Sequence, residues 1–581
     1  MGGTRLSRER AKRIATRCGP WLLVIALLVW LDGPRFLNHM GVAFRTNVLN
    51  DDMRIQLPYF YHYADKSLFT NDVIGRYHAD GTGELFRALY IALAPLVDVV
   101  VLGKALTYVT LWLTAAGLAV AAARLGGKPA AFAAACFTLG SYEFIDRTVG
   151  GLPRAFAYPC VAWMLASLAW GRIRSHAVLS ALGAGFYPLL PVIGGLTLAI
   201  VLLVLHPRDR GSARSWSFRR RVVVLGLTFL GACSLLVPFA VRVHKYGAVI
   251  HAQDFGAFPE AGPGGRLHDL DRSPAPPFFE LAENTGARAL GHGNAPFWPD
   301  VHELVASRAH KQTALIVIAL IAAAGVLRAG LLRSGRPFRR VAAFALAVFI
   351  GFQLAALVDP SLVPSSRYVR YGVPTLLVAV VPSAAIGLLP RGWRLKGRFR
   401  AFTAPLWVGG FVAVLLAFLG TYSSQTFGYE VRLGGGEQGI AAAMRRLPAN
   451  ALVAGWPEGF MDDLTIVAKR SAFITYQTYM PYNQKMTLEM RARADAVIDA
   501  YYAPDLAPLR RLRDEFRVTH FLIEPGRLRK RGRLFRPLDH EIASAFAALA
   551  RSGKDNVLAG DLGDAVLYRD GRYELLDLAK L

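Results

Sequence analysis

Long apolar runs recur through the first three quarters of the chain, and charge gathers in the short segments between them. Runs at 102–123, 130–145, 155–170, 222–243, 313–332, 342–358, 374–389 and 404–421 approach the roughly 20 residues that a helix needs to cross a hydrocarbon core. An earlier run follows the basic start "MGGTRLSRERAKRIATRCGPWLLVIALLVWL" and ends at Asp32, Gly33 and Pro34 without a small-residue cleavage site, so it is read as a retained signal anchor. The stretch 177–205 is too long for one ordinary span and holds "GFYP" at its middle. It predicts two short segments hinged at Tyr187 and Pro188, either two short crossings or a re-entrant pair. Residues 85–101 are apolar enough to cross, but Pro95 and Asp98 interrupt them, and a crossing there would invert every later loop against the charge bias. They are placed flat on the outer surface. The pattern gives about eleven helical segments by the span-length rule.

Composition agrees with this pattern. Of 581 residues, 54% are hydrophobic and 19% charged, and the mean hydropathy is +0.33, which defines a polytopic α-helical membrane protein. A net charge of +26 in a soluble chain would point to nucleic acid. Here Lys and Arg sit in loops such as "RSGRPFRR" and "RGWRLKGRFR", and topology accounts for them without a nucleic-acid partner. The same bias puts the amino terminus in the cytoplasm and the carboxyl side outside. Cys136, Cys160 and Cys233 fall inside apolar runs and Cys18 beside the basic start, a pattern that is neither a disulfide framework nor a zinc spacing.

The expected organisation is a basic cytoplasmic segment at 1–19, a multi-span domain at 20–421, and a soluble α/β domain at 422–581. Large outer loops are expected at 41–84 and 244–311. The second contains "FPEAGPGGRLHDLDRSPAPPFF", whose Gly and Pro density predicts an irregular, mobile cover. In the tail, "ALVAGWP", "RSAFITY", "THFLIEP" and "DAVLYRDG" have strand character, while "LEMRARADAVIDAYY" and "LAPLRRLRDEF" have helical spacing.

Polar chemistry collects on the outer side. The first loop, "NDDMRIQLPYFYHY", supplies Asp51, Asp52 and Arg54; "SYEFIDRTVGGLPRAFAYP" supplies Glu143, Asp146, Arg147 and Arg154; "DPSLVPSSRYVRY" supplies Asp359, Arg367, Tyr368, Arg370 and Tyr371. Carboxylates and arginines on separate loops around one bundle suit an anionic lipid-linked donor, with Arg forks on phosphate and a carboxylate handling an acceptor's proton. Each element also has an ordinary explanation: a solvated helix end for the Asp pair, snorkelling arginines, and a kink with an interfacial aromatic for "FYP". His251, His268 and His292 lack helical ligand spacing.

The combination of that first loop, the second acidic loop, "GGLPRAFAYP", "GAGFYP", "SSRYVRY" and an outer carboxyl-terminal domain resembles the glycosyltransferase C superfamily, and within it bacterial multi-pass members. The resemblance implies a bacterial inner-membrane enzyme using a polyprenyl-phosphate-linked sugar donor and an outer-face glycan, lipid or protein acceptor. It also implies an acid on the first loop as base and a second acid on the next. By match of position Asp51 is the first, with Asp52 second choice, and Asp146 the other, with Glu143 its competitor. Arg54, Arg147, Arg154, Arg367, Arg370 and Tyr368 are the donor-phosphate candidates. The tail has no WWD-type sequence, which departs from enzymes that transfer to asparagine. Some members use a divalent cation and others do not. Whether Mg or Mn belongs here stays open, and Asp51 and Asp146 are the candidate ligands.

Two other classes stay open. A transporter would place ionisable groups or broken helices near the midplane, and the mid-span regions here are almost free of charge. A non-catalytic assembly or sensor protein could share the fold, since fold does not prove activity.

Overall fold

A computed structural model describes residues 33, 36–205, 216–267, 277–289, 336–358, 365–387, 428–431 and 435–581. The expected signal anchor, the runs 313–332 and 404–421, and Asp359, His268 and His292 lie outside the described residues.

Among the described residues, three helices are long and apolar enough to cross a membrane: Val99–Gly140, Phe218–His244 and Pro337–Leu357. The first is two helices joined at Gly127, whose φ of 78° leaves the helical region, with Pro129 two residues on. By residue 150 the chain is back beside the start of that helix, because Gly150 N donates to Thr107 Oγ1 at 2.9 Å. The two apolar runs around Arg124–Lys128 therefore form a helical hairpin. Asp98 starts it, its carboxylate accepting from Val100 N and Val101 N, which satisfies amides that a helix start leaves open. The preceding stretch is a separate helix, Glu84–Leu93, of 10 residues. At 1.5 Å per residue it is too short to cross.

The 177–205 run breaks as its length predicts. Helix Ile173–Gly183 ends before Tyr187, and Leu189–Ala199 follows Pro188. Helix Phe218–His244 leaves Leu227, Phe229, Leu230 and Val241 exposed, a large apolar face that suits lipid rather than water. Helix Ser366–Gly387 begins earlier than the apolar run does and takes in "SRYVRY", so those residues are helical rather than part of a loop.

The tail folds around a five-stranded sheet. With β1 at Val48–Leu49 and β2 at Glu430–Val431 forming their own small pair, the larger sheet has β3 (Leu452–Gly455), β4 (Ser471–Ala472), β5 (His520–Ile523), β6 (Val566–Arg569) and β7 (Glu574–Asp577) in the order β4-β3-β5-β7-β6. The β3 pairings are parallel and those of β7 antiparallel. Helices Gln484–Tyr501 and Leu538–Ser552 pack against it through a core that includes Trp456, Met490, Phe521 and Leu576.

The described part of the second large loop is docked on this domain. Ile250 N donates to Tyr482 O at 2.9 Å, Gln484 N to Ala248 O at 2.8 Å and Met486 N to Tyr246 O at 3.1 Å. Buried Glu260 takes Arg491 Nη2 at 2.6 Å. In this described part, the irregular backbone that glycine and proline density predicts is held by specific partners.

Candidate active site

The first loop turns tightly because Asn50 organises it. Its Oδ1 accepts from Asp52 N at 3.1 Å and its Nδ2 donates to Gly428 O at 2.8 Å, next to β2. This leads into the short helix Met53–Gln56. Asp51 and Asp52 stand at its start and make different pairs. Asp51 pairs with Arg54, whose guanidinium also reaches Asp463 Oδ1 at 3.2 Å from Nη1. Arg54 is only 2% exposed while the Asp51 side chain is 42% exposed. Burial works against the Arg54 charge, but Asp463 and Asp51 outweigh it and hold its pKa above the ordinary value. Asp52 pairs instead with Arg154 of the second loop.

The second loop is pressed onto the hairpin by glycines. Gly150 and Gly151 have φ of 84° and 59°, the left-handed region that glycine adopts without penalty. A Cβ on Gly151 would stand 2.5 Å from Gly103 O, and one on Gly103 would stand 2.7 Å from Gly150 O. Only glycines allow this approach, and Tyr90 Oη seals it by donating to Gly151 O at 3.0 Å. Pro153 then starts the 3-10 turn Pro153–Phe156 that carries Arg154. Upstream, helix Tyr142–Thr148 carries Glu143, Asp146 and Arg147. Arg147 Nε lies 3.4 Å from Asp146 Oδ2 and 3.7 Å from Glu143 Oε1. Burial opposes the Arg147 charge, but Asp146 and Glu143 more than offset it, so its pKa is raised. Glu143 is 1% exposed, and Tyr158 Oη donates to its Oε1 at 3.2 Å.

The late helix completes the set. Arg367 Nη1 donates to Tyr187 Oη at 2.6 Å at the hinge of the two short helices. Tyr371, one turn on, packs edge-on against Tyr158 and Tyr187 with ring centroids 5.1 and 5.6 Å away. The charges of Arg147, Arg154 and Arg367 all act on the Tyr371 phenol. Arg370 offers its carbonyl to Tyr158 Oη at 2.9 Å. Tyr368 is buried with its ring on Gly351 of the facing helix, so it serves helix packing.

Three residues outside the sequence-based set join this group. Tyr187 was legible only as a kink aromatic. Tyr482 and Arg266 carried no signal. Tyr482 lies among the charged and phenolic groups of Arg367, Asp52, Arg266 and Tyr187. Arg266 is held by Tyr476 O at 2.8 Å and Gln477 Oε1 at 3.3 Å.

Among the described residues no three His, Cys, Asp or Glu side chains converge as a cation site. Asp51 pairs with Arg54, and Asp146 Oδ2 lies 3.4 Å from Arg147 Nε.

The described residues thus form a helical membrane bundle with acids and arginines from four segments at one end, next to a carboxyl-terminal sheet domain. No family model matches the chain, and no curated protein matches it. Among solved structures, it is similar to the apo oligosaccharyltransferase of Archaeoglobus fulgidus, with 13% identity over 88% of this chain and 70% of that one, at a TM-score of 0.45. It is also similar to ArnT from Cupriavidus metallidurans. The apo structure matches with 14% identity over 95% of this chain and 97% of that one, TM-score 0.40. The structure bound to undecaprenyl phosphate matches with 14% identity over 97% and 98%, TM-score 0.39.

Proposed function

We propose that this chain is a membrane glycosyltransferase that moves a sugar from a polyprenyl-phosphate-linked donor to a glycan, lipid or protein acceptor at the outer face of a bacterial inner membrane. One observation carries the reading: Arg154 of the second loop, paired with Asp52, and Arg367 of the late helix, whose Nη1 donates to Tyr187 Oη at 2.6 Å, stand at the end of the bundle where Tyr371 packs edge-on against Tyr187 and Glu143 lies beside Arg147. Such a cluster suits a phosphate, whose oxygens match guanidinium forks. Arg367 has a neutral phenol as hydrogen-bond partner, so that contact does not neutralise its charge.

In this reading the donor phosphate lies on Arg154 and Arg367, and Asp51 faces the acceptor. The acceptor's proton passes to the Asp51 carboxylate as its nucleophilic atom bonds to the anomeric carbon. The bond from that carbon to the phosphate oxygen breaks, and the electron pair leaves with the polyprenyl phosphate. The arginines stabilise the charge that develops there. Arg54 orients Asp51, and the Asp52–Arg154 pair links the base side to the phosphate side. Asp146 and Glu143 hold Arg147.

The test uses the full chain in lipid nanodiscs, titrated with undecaprenyl phosphate and, as control, the neutral undecaprenol. A panel of polyprenyl-phosphate sugars is then assayed for sugar transfer. Preferential binding of the phosphate, weakened in Arg367→Ala, is expected. Equal binding of alcohol and phosphate would overturn the reading. An alkaline phosphatase reporter joined after Leu581 tests the sidedness and should be active.

A further inference from the structure

The carboxyl-terminal domain reaches the first loop at two adjacent points. Strand β2 pairs antiparallel with β1, Val48 against Val431, directly before Asn50. Four residues later, helix Phe460–Val467 presents Asp463 to Arg54. The Arg54 guanidinium is almost fully buried and has Asp463 on Nη1 and Asp51 on Nη2. Its Nε also donates to Asp51 O at 3.3 Å. A planar fork with its directions taken in this way has no freedom to turn, so the side that meets Asp51 is set by the side that meets Asp463. Removing one carboxylate from a buried guanidinium leaves charge uncompensated. The fork would then swing toward Asp51 and draw that carboxylate away from the acceptor.

We propose that Asp463 is a positioning residue of the transfer reaction: it holds Arg54 and, through it, aims the Asp51 carboxylate, so that the carboxyl-terminal domain completes the reaction centre. This role rests on Asp51 acting as the base. The neighbouring acid supplies the contrast. Asp462, on the same short helix and equally buried, turns its Oδ1 to Gln477 N at 3.0 Å and supports the segment that ends at Tyr482. An asparagine at 462 can still accept that hydrogen bond.

The experiment compares Asp463→Asn, Asp463→Glu and Asp462→Asn as full chains in nanodiscs. It measures kcat and KM for sugar transfer from whichever polyprenyl-phosphate sugar the wild type accepts, undecaprenyl phosphate affinity, and melting temperature. Misplacing a catalytic group by about an ångström costs on the order of a hundredfold in rate. Asp463→Asn is therefore expected to lower kcat by about that factor while KM and phosphate affinity stay within about twofold, with Asp463→Glu recovering most of kcat. Asp462→Asn keeps its hydrogen bond to Gln477 N and removes only a smaller charge contribution to Arg54 than Asp463 makes, so it is expected to lower kcat far less than Asp463→Asn does. Full kcat in Asp463→Asn, or a loss shared equally by phosphate affinity or by Asp462→Asn, would overturn the assignment. If Asp463→Asn does not fold, Arg54→Lys, which keeps charge but loses the fork, takes its place with the same expectation, and full kcat there is equally fatal. A wild type that transfers nothing from the panel removes the reaction and this role together, an outcome distinct from an active enzyme indifferent to residue 463.

Discussion

Arg54 and Arg367 are the same side chain at the same end of the bundle, yet they are spent differently. Arg54 is buried between two carboxylates, one from its own loop and one from a residue 409 positions away. Arg367 gives its hydrogen bond to a neutral phenol and stacks over that ring at 5.8 Å. A guanidinium between two carboxylates has its charge matched and its fork filled. One on a tyrosine is oriented but not neutralised by that contact. In the reaction proposed above, the site would divide into a proton-handling side, where the arginine serves an acid, and a phosphate side, where the arginine serves a ligand. Arg154, paired with Asp52, joins the two.

The sharpest way to break this division is at the acids. Asp51→Asn should lower the transfer rate by about a hundred- to ten-thousand-fold, the usual worth of a general base, while undecaprenyl phosphate affinity is kept. Equal losses in Asp51→Asn and Asp52→Asn, measured as kcat side by side, would erase the distinction between the two pairs. Next in size is the phosphate side. Losing a charge-assisted hydrogen bond costs about 1.5–3 kcal/mol, so Arg367→Ala should weaken undecaprenyl phosphate binding by roughly 10- to 150-fold. Arg54→Ala should instead lower the melting temperature, because it removes the buried guanidinium that bridges Asp463 and Asp51, and should leave that affinity nearly untouched. A titration in which Arg54→Ala is the weaker binder would reverse the assignment.

Smaller effects refine the picture. Tyr187→Phe keeps the ring beneath Arg367 but removes the oxygen that aims it, and a neutral hydrogen bond is worth about 0.5–1.5 kcal/mol, so phosphate affinity should fall by roughly 2- to 12-fold. The last prediction concerns stability. Burial pushes the Asp462 carboxyl up to about 7 from an ordinary 3.8, against the opposing pull of Gln477 N and Arg54. Between those values the folded protein keeps a proton that the unfolded chain releases, so this group makes stability fall as pH rises through the window and has no such effect below it. Melting curves of Asp462→Asn should lack that part of the slope. A wild-type minus variant difference that does not change across the window would show that residue 462 does not titrate there.

Much of the bundle was legible from hydropathy and punctuation. The break at 184–188, the reversal near Gly127 and the separation of Glu84–Leu93 from the long helix follow from run length, Gly, Pro and a capping Asp, all local signals. Strands β3, β4, β5 and β6 were legible from short β-branched and aromatic runs, whereas β7, four residues of "ELLD", is too short to show a period. Helix Ser366–Gly387 extended past its apolar run because polar first turns are still helical when neighbours pack on them, as Gly351 does on Tyr368.

At the site, residue types were legible and partners were not. Asp51, Asp52, Glu143, Asp146, Arg147, Arg154, Arg367 and Arg370 stand out in sequence because charge is rare beside apolar runs. Hydropathy and helical spacing register only neighbours a few positions apart. Nothing in them joins Arg54 to Asp463, Arg154 to Asp52 102 positions earlier, or Arg367 to Tyr187 180 positions earlier. Those choices were made when the glycines of the second loop closed on Gly103 and the carboxyl-terminal domain docked on the first loop. Once buried, each guanidinium had to take the acceptors that the packing brought within reach, since an uncompensated charge inside a protein costs more than almost any rearrangement that avoids it.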